Sequence, residues 1–373
     1  MFAIIVGTTA ELIKMAPVYH ELQDRGHAAE IWYTAQHVEE LEPSLADLGL
    51  PDIAEWLVPR EGAANLSRPA EVPGWVLRVA TTVLRRRAAL RRRLFSDRTA
   101  PVVLVHGDTF TAVVGSLVGK VLGARVAHVE AGMRSGNIFN PLPEELNRRA
   151  VAHLADVHFA PTANEARNLR RRRGAVVTTG ANTVLDSMRM ALSKPAEASI
   201  PLPERYGLVT LHRFELVRQE DVYRRSLEVL RDAATDEVPI VCLTGASERE
   251  RIDAYGLRDL FDGTRFLLAD KLSYIRFQPV LAHAEFVVTD SGGVQEETNF
   301  MGIPCAVHRT HTERHVGEGT QMVLTRYDVD VLRDFLAHHE QYRSASRLDE
   351  YRPSGVVVDT LELMVGAPAA AAD

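Results

Sequence analysis

The stretch PVVLVHGDTFTAVVGSLVGKVLGARVAHVEAG, residues 101–132, decides the fold. Residues 102–105 and 125–128 are short runs rich in β-branched side chains with little polar alternation, and 109–122 between them has the length and spacing of a helix. Apolar strands without alternation are buried on both faces, which requires a parallel sheet covered by helices. The longest apolar stretch of the chain, 111–127, lies inside this unit; Lys120 and Arg125 interrupt it, and it falls short of the ~20 residues of a membrane span.

The same alternation continues in both directions. Strands are expected at 2–6, 29–33 and 157–160, with helices at 10–25, 37–48, 143–154 and 162–172. A second series of strands follows at 207–210, 239–243, 265–268, 286–289 and 304–307, again separated by helical segments. Two consecutive series make two doubly wound α/β domains, expected at 1–190 and 204–350. The loop-like segment 191–203, with Pro195, Pro201 and Pro203, is the expected linker. Residues 351–373 are expected to pack back on the first domain before an alanine-rich tail frays.

Composition agrees with this reading. A chain of 373 residues, 46% hydrophobic and 25% charged, has the burial capacity of roughly two domains and is not a disordered chain. A net charge of −7 argues against general nucleic-acid binding. The first residues carry no basic region and no cleavage site, so no signal peptide is expected. Cys242 and Cys305 each sit in an apolar run, which fits a reducing, cytoplasmic setting without disulfides or a thiolate metal site. The clusters Arg85–Arg87 with Arg91–Arg93, and Arg170–Arg173, read as solvated helix faces, the first backed by buried Val83, Leu84, Leu90 and Leu94.

Candidate chemistry gathers where strands run into turns. Gly7-Thr8-Thr9 follows the first strand, where backbone N–H groups at a helix start can face a ligand; Lys14, one of only four lysines, lies one turn on. Asp108 follows the strand at 102–105 and is either a helix cap or a functional carboxylate. Glu130 follows 125–128, and no helix begins there for it to cap. Glu144 and Glu145 sit in a helix start behind Pro143, where acids also suit the dipole. Parallel strands open their C-terminal ends onto one crevice, so Asp108, Glu130 and Glu144 are expected to converge there with Lys14, as groups with separable acid and base roles.

In the second series His212 ends the strand at 207–210. Ser291-Gly292-Gly293 joins the strand at 286–289 to a helix, as a phosphate cradle does. Glu297 lies about a turn further on, placed to accept two hydrogen bonds from a ribose diol, and Arg314 puts a cation near the same crevice. Tyr274 and Phe277, three apart on a helix, are either core or an aromatic wall for a base.

Taken together, these motifs resemble the UDP-N-acetylglucosamine 2-epimerase family over nearly the whole chain. They are Gly-Thr-x-x-Glu-x-Ile-Lys-Met-Ala-Pro at 7–17, Thr-Ala-Gln-His at 34–37, His-Gly-Asp-Thr at 106–109, His-Val-Glu-Ala-Gly-x-Arg at 128–134, Pro-Glu-Glu-x-Asn-Arg at 143–148, Asn-Thr-Val-x-Asp at 182–186, Thr-x-His-Arg at 210–213, Asp-Ser-Gly-Gly-x-Gln-Glu-Glu at 290–297 and Thr-Glu-Arg at 312–314. The resemblance implies a GT-B architecture, two Rossmann-like domains with a nucleotide sugar between them. It implies Asp108, Glu130, Glu144 and His212 as catalytic groups, Ser291, Gly292 and Gly293 on the diphosphate, Glu297 on the ribose and Phe277 on the uracil. Lys14 is expected on the nucleotide side, with Thr8, Thr9, Arg134, Arg213 and Arg314 as sugar or phosphate contacts. The implied reaction eliminates UDP to a glycal, exchanges the proton at C2 and adds UDP back, with no metal or redox cofactor, in a homodimer that engages neither nucleic acid nor membrane.

Several positions depart from the family pattern. Thr9 and Ala10 stand for an Arg-Pro pair, which removes a bidentate anion contact. Phe214 and Leu216 replace polar residues after His212-Arg213, Leu142 stands where tryptophan is usual, and Val38-Glu39 follows Thr-Ala-Gln-His, where activated family members hold a second sugar nucleotide. His308, His311 and His315 surround the Thr-Glu-Arg motif. A glycosyltransferase on the same scaffold, a hydrolysing epimerase and an inactive sugar-nucleotide sensor are the competing expectations.

Overall fold

The computed structural model describes every residue except 39–40, 62, 64, 67, 97–99, 137–141, 195–199, 313–318 and 367–373. The chain forms two compact units, one made of Met1–Ser187 with Tyr351–Asp373 and the other of Met188–Glu350.

Seven strands build the sheet of the first unit: β1 (Phe2–Val6), β2 (Ala29–Tyr33), β3 (Glu55–Trp56), β4 (Val102–His106), β5 (Arg125–Val129), β6 (Val157–Ala160) and β7 (Ala175–Thr178). All pair in parallel, in the order β3-β2-β1-β4-β5-β6-β7. Ile4 of β1 lies between Ile31 of β2 and Leu104 of β4. Both β1 and β4 are buried along their whole length, which explains their unbroken apolar sequence. The helix Phe110–Leu122 lies close on the sheet through Gly115 and Gly119. A Cβ at Gly115 would come 2.9 Å from Val105 Cγ1, and one at Gly119 would come 2.9 Å from Val126 Cγ2.

The second unit repeats the plan with β8 (Gly207–Thr210), β9 (Ile240–Thr244), β10 (Phe266–Asp270), β11 (Phe286–Thr289), β12 (Cys305–Val307) and β13 (Met322–Leu324), ordered β10-β9-β8-β11-β12-β13 and again parallel throughout. Both sheets are doubly wound, as the sequence pattern requires. In each, the order reverses once, between β1 and β4 and between β8 and β11, and ligands bind at such reversals beyond the C-terminal strand ends.

Three strands, β3, β7 and β13, were not expected, and all three are sheet edges. An edge strand has one neighbour and less burial, so it lacks the apolar run that marks a central strand; β7 is largely exposed. The helix expected at 37–48 begins only at Leu41, and the one expected at 162–172 ends at Leu169. The helix Val184–Leu192 passes through the boundary between the units, so the segment expected to be linker opens with two helical residues. The helix Pro353–Val365 buries Val357, Val358 and Leu361 and packs on the helix Thr9–Asp24. Arg25 Nη1 reaches from the end of that helix to Asp359 (2.6 Å) and Glu362 (3.0 Å). The alanine-rich tail lies outside the described residues.

The arginine-rich helix Val72–Leu94 does present a solvated face, where Arg86 pairs with Glu55 and Arg93 with Glu30, both at 2.7 Å. Val83, Leu90 and Leu94 are buried as expected, but Leu84 is 63% exposed, because the buried face of the helix is the one that carries Trp75, Val79, Val83, Leu90 and Leu94.

Candidate active site

At the β1–β4 reversal, Glu130 stands one residue beyond β5 with φ of +61°, a conformation that costs a non-glycine residue ~1–3 kcal/mol. Its Oε2 accepts a hydrogen bond from Lys14 Nζ at 2.7 Å and lies 3.0 Å from Nε2 of buried His106, the last residue of β4. Burial holds the His106 pKa below its ordinary value, which favours the neutral imidazole beside this carboxylate, and Lys14 brings a positive charge to it. Lys14, expected on the nucleotide, is thus an ion-pair partner of Glu130. Gly107, at φ +66°, turns the chain between His106 and Asp108; its N–H donates to Val129 O (2.9 Å) and its carbonyl accepts from His128 Nε2 (2.7 Å).

Asp108 does not cap the following helix; Thr109 does, its hydroxyl accepting from Ala112 N at 3.1 Å. Asp108 is instead held from the helix Glu144–Leu154. Arg148 brings Nη2 to 2.6 Å and Nε to 2.8 Å of Asp108 Oδ2, and Asn147 Nδ2 donates to the Asp108 carbonyl at 2.8 Å. Of the two glutamates opening that helix, Glu145 is the buried one. It accepts from Arg149 Nε (3.0 Å) and the Ser135 N–H (3.2 Å), with Arg148 and Arg134 at 3.6 and 3.9 Å. Glu144 is half-buried, and its Oε2, shielded from solvent, has no hydrogen-bond partner among the described residues. Arg134 likewise carries a buried Nη2 with no partner among the described residues. Unmet polar atoms of this kind are rare in folded proteins and suit groups that await a ligand.

The turn after β1 is already filled. Glu11, fully buried, accepts from the N–H groups of Gly7 (2.8 Å) and Thr8 (3.0 Å), so these donors, expected to face a ligand, are used inside the protein. Thr8 caps the helix with Glu11 in a reciprocal box, and Thr9 is its half-buried first residue. Burial raises the Glu11 carboxyl to about 7 against these hydrogen bonds.

At the β8–β11 reversal, half-exposed His212 points Nδ1 at Oδ1 of buried Asp290, 3.3 Å away. The other Asp290 oxygen accepts from the N–H groups of His212 (2.9 Å) and Arg213 (2.7 Å), and Arg213 Nε donates to the Asp290 carbonyl (2.8 Å). Burial raises the Asp290 pKa, and the neighbouring imidazole and the N–H groups of Arg213 and His212 oppose the rise. Ser291 caps the helix Gly292–Met301, accepting from Val294 N at 3.4 Å, so Gly292 and Gly293 form its first turn with no side chain over the backbone. Glu297 is buried one turn later against Tyr274, and Phe277 is half-buried on the helix Tyr274–Ala282.

Arg314 lies outside the described residues, as does His315. His308 is a core residue, bonded to Ser226 Oγ (2.8 Å) and Thr325 Oγ1 (2.7 Å), and burial lowers its pKa to about 4. His106, Asp290, Arg148 and Glu11 were not singled out in the sequence. Glu11 had a visible signal, since Thr8-x-x-Glu11 is a capping-box pattern; the other three act through partners far away in the chain. Among the described residues no group of three or more His, Cys, Asp or Glu side chains is arranged to hold a metal, and no helix is long and apolar enough to cross a membrane.

Comparison with known proteins gives a consistent picture. A model of the family described as UDP-N-acetylglucosamine 2-epimerase matches residues 89–351. The UDP-N-acetylglucosamine 2-epimerase of Salmonella typhimurium is 33% identical over 371 residues, covering 92% of each chain. The solved UDP-GlcNAc 2-epimerase of Methanocaldococcus jannaschii superposes with a TM-score of 0.77 at 25% identity, over 97% of this chain and 99% of that one. The Neisseria meningitidis enzyme, solved with UDP-GlcNAc bound, gives 0.74 at 28% identity, over the same shares of both chains.

Proposed function

Because the chain belongs to the UDP-N-acetylglucosamine 2-epimerase family, we propose that it epimerises UDP-N-acetylglucosamine at C2. Glu130 carries this reading: a carboxylate in a left-handed backbone conformation, paired with Lys14 at 2.7 Å and flanked by a buried histidine. Inversion at a carbon needs a proton taken from one face and returned to the other, hence two acid–base groups. Glu130 and Asp108 supply them, with Glu144 in support. The C2–H bond breaks as a carboxylate takes its proton, the C1–O bond breaks as UDP leaves with the electron pair, and a glycal results. Return of UDP to C1, with a proton delivered to the opposite face of C2, completes the inversion.

In this reading the second unit holds the nucleotide. The Ser291-Gly292-Gly293 helix start and Arg213 take the diphosphate, Glu297 the ribose and Phe277 the uracil, while His212, oriented by Asp290, assists departure and return of the phosphate. Arg134 and Arg314 complete the charge balance. Incubation with UDP-GlcNAc in D₂O tests the proposal: deuterium at C2 of both epimers is expected, and its absence refutes epimerase chemistry on this substrate. Accumulation of UDP with free sugar would instead identify a hydrolase, and acceptor-dependent UDP release a transferase.

We further propose a cytoplasmic homodimer. Both cysteines are buried and unpaired, in keeping with a reducing compartment. Leu77, Leu84, Leu117 and Val121 are exposed on the helices Val72–Leu94 and Phe110–Leu122, which pack side by side and present an apolar surface suited to a second copy.

A further inference from the structure

We propose that Glu11 is a positioning residue, which acts through the Thr109 hydroxyl to set the turn that presents Asp108. The inference rests on the epimerase reading above and adds to it a residue that touches no substrate.

The geometry supports it from several sides. Glu11 Oε2 is fixed by three donors of the β1 turn, Gly7 N (2.8 Å), Thr8 N (3.0 Å) and Thr8 Oγ1 (3.2 Å). Its other oxygen, Oε1, accepts from Thr109 Oγ1 at 2.5 Å, across the reversal of the sheet. The Thr109 hydroxyl thus donates to Glu11 and accepts from Ala112 N, so both its position and its direction are set. Asp108 is the adjacent residue, and on its other side Arg148 and Asn147 hold its carboxylate and its carbonyl. The turn is therefore clamped between two elements, and Glu11 is the clamp on the β1 side. Other polar groups stiffen the same frame: Thr34 Oγ1 meets Thr111 Oγ1 at 2.8 Å, and Gln36 Oε1 accepts from both Thr111 N (3.1 Å) and Thr111 Oγ1 (3.0 Å). Gly7 has no room for a side chain here, since a Cβ would come 2.1 Å from Thr111 Oγ1.

A helix needs only its cap, and Thr8 with Glu11 Oε2 already provides one. The bond from Oε1 to Thr109 is not part of that cap. It joins residues 98 apart in sequence at the point where an acid–base group leaves the sheet.

The experiment compares Thr109→Val, Thr109→Ser, Glu11→Gln and the double variant Glu11→Gln/Thr109→Val, with kcat and KM for UDP-GlcNAc, UDP affinity and thermal melting measured for each. Misplacing a reacting group by about 1 Å costs on the order of 10²-fold. Thr109→Val and Glu11→Gln are therefore expected to lower kcat by about 10–100-fold while KM and UDP affinity stay within about twofold. Thr109→Ser keeps the hydroxyl and restores kcat to within about threefold of the parent. The double variant is no slower than the slower single, because both changes break one link. Unchanged kcat in Thr109→Val, failure of Thr109→Ser to restore it, or multiplied losses in the double variant would each overturn the inference. Should the double variant not fold, Glu11→Gln decides alone, since it alters the Glu11 side of the link and leaves the Thr109 cap on Ala112 N in place. A parent chain that binds UDP but exchanges no C2 proton overturns the epimerase reading, and this inference with it, before any variant is compared.

Discussion

His128 makes the first unit acid-sensitive by an amount that can be worked out. It lies in β5, 1% exposed, with Nε2 bound to the Gly107 carbonyl at 2.7 Å, and burial pulls its pKa down to about 3. An unfolded histidine titrates near 6.5. Between these values the unfolded chain binds a proton that the folded chain refuses, so stability falls as pH drops below about 6.5 and goes on falling toward 3. At pH 5.0 the gap is about 1.5 pH units, and at 1.36 kcal/mol per unit the cost is about 2 kcal/mol. The three tryptophans, Trp32, Trp56 and Trp75, all lie in the first unit, and their fluorescence during urea unfolding reports that unit alone. His128→Gln keeps a side-chain donor for Gly107 and cannot titrate. The loss of stability between pH 7.5 and pH 5.0 should be about 2 kcal/mol smaller in His128→Gln than in the parent chain. Any constant cost of the substitution cancels in this difference. His158, whose pKa burial also lowers, adds to the trend in both proteins alike. Identical pH dependence in the two chains would refute the reasoning. The outcome bears on the site, since this bond holds the Gly107 turn between His106 and Asp108.

Other perturbations separate the roles of the two units. Glu130→Gln should lower kcat ~10²–10⁴-fold with UDP affinity unchanged in calorimetric titration, because it removes proton transfer and leaves nucleotide contacts in place. Ser291→Ala with Gly292→Ala should weaken UDP binding in the same titration, by crowding the helix start and removing its cap, with a smaller effect on kcat than Glu130→Gln. Asp290→Asn should lower kcat, and adding His212→Gln should bring little further loss in the same assay, since the two act as one unit. Leu77→Glu with Leu84→Glu should convert a dimer to monomers in light scattering while the first unit keeps its tryptophan spectrum, because both side chains are already solvent-exposed within one chain.

What the sequence determined by itself was the periodic part of the molecule. Apolar runs without alternation at 2–6, 102–105, 207–210 and 286–289 required buried parallel strands, and the structure has β1, β4, β8 and β11 there. Asp108 and Glu130, in the turns after β4 and β5, and His212 and Ser291, in the turns after β8 and β11, follow from the same pattern, because each parallel sheet puts the C-terminal ends of its own strands on one side. Tertiary structure decided what depends on partners distant in the chain. Lys14 became the mate of Glu130, Arg148 that of Asp108 and Asp290 that of His212, pairings 116, 40 and 78 residues apart. Local pattern cannot specify these, because they follow from which strands become neighbours once β1 pairs with β4 and β8 with β11. For the same reason Leu84 faces solvent and the edge strands β3, β7 and β13 carry no apolar run to mark them, whereas the hold of Glu11 on the amides of Gly7 and Thr8 is local and follows the Thr8-x-x-Glu11 pattern.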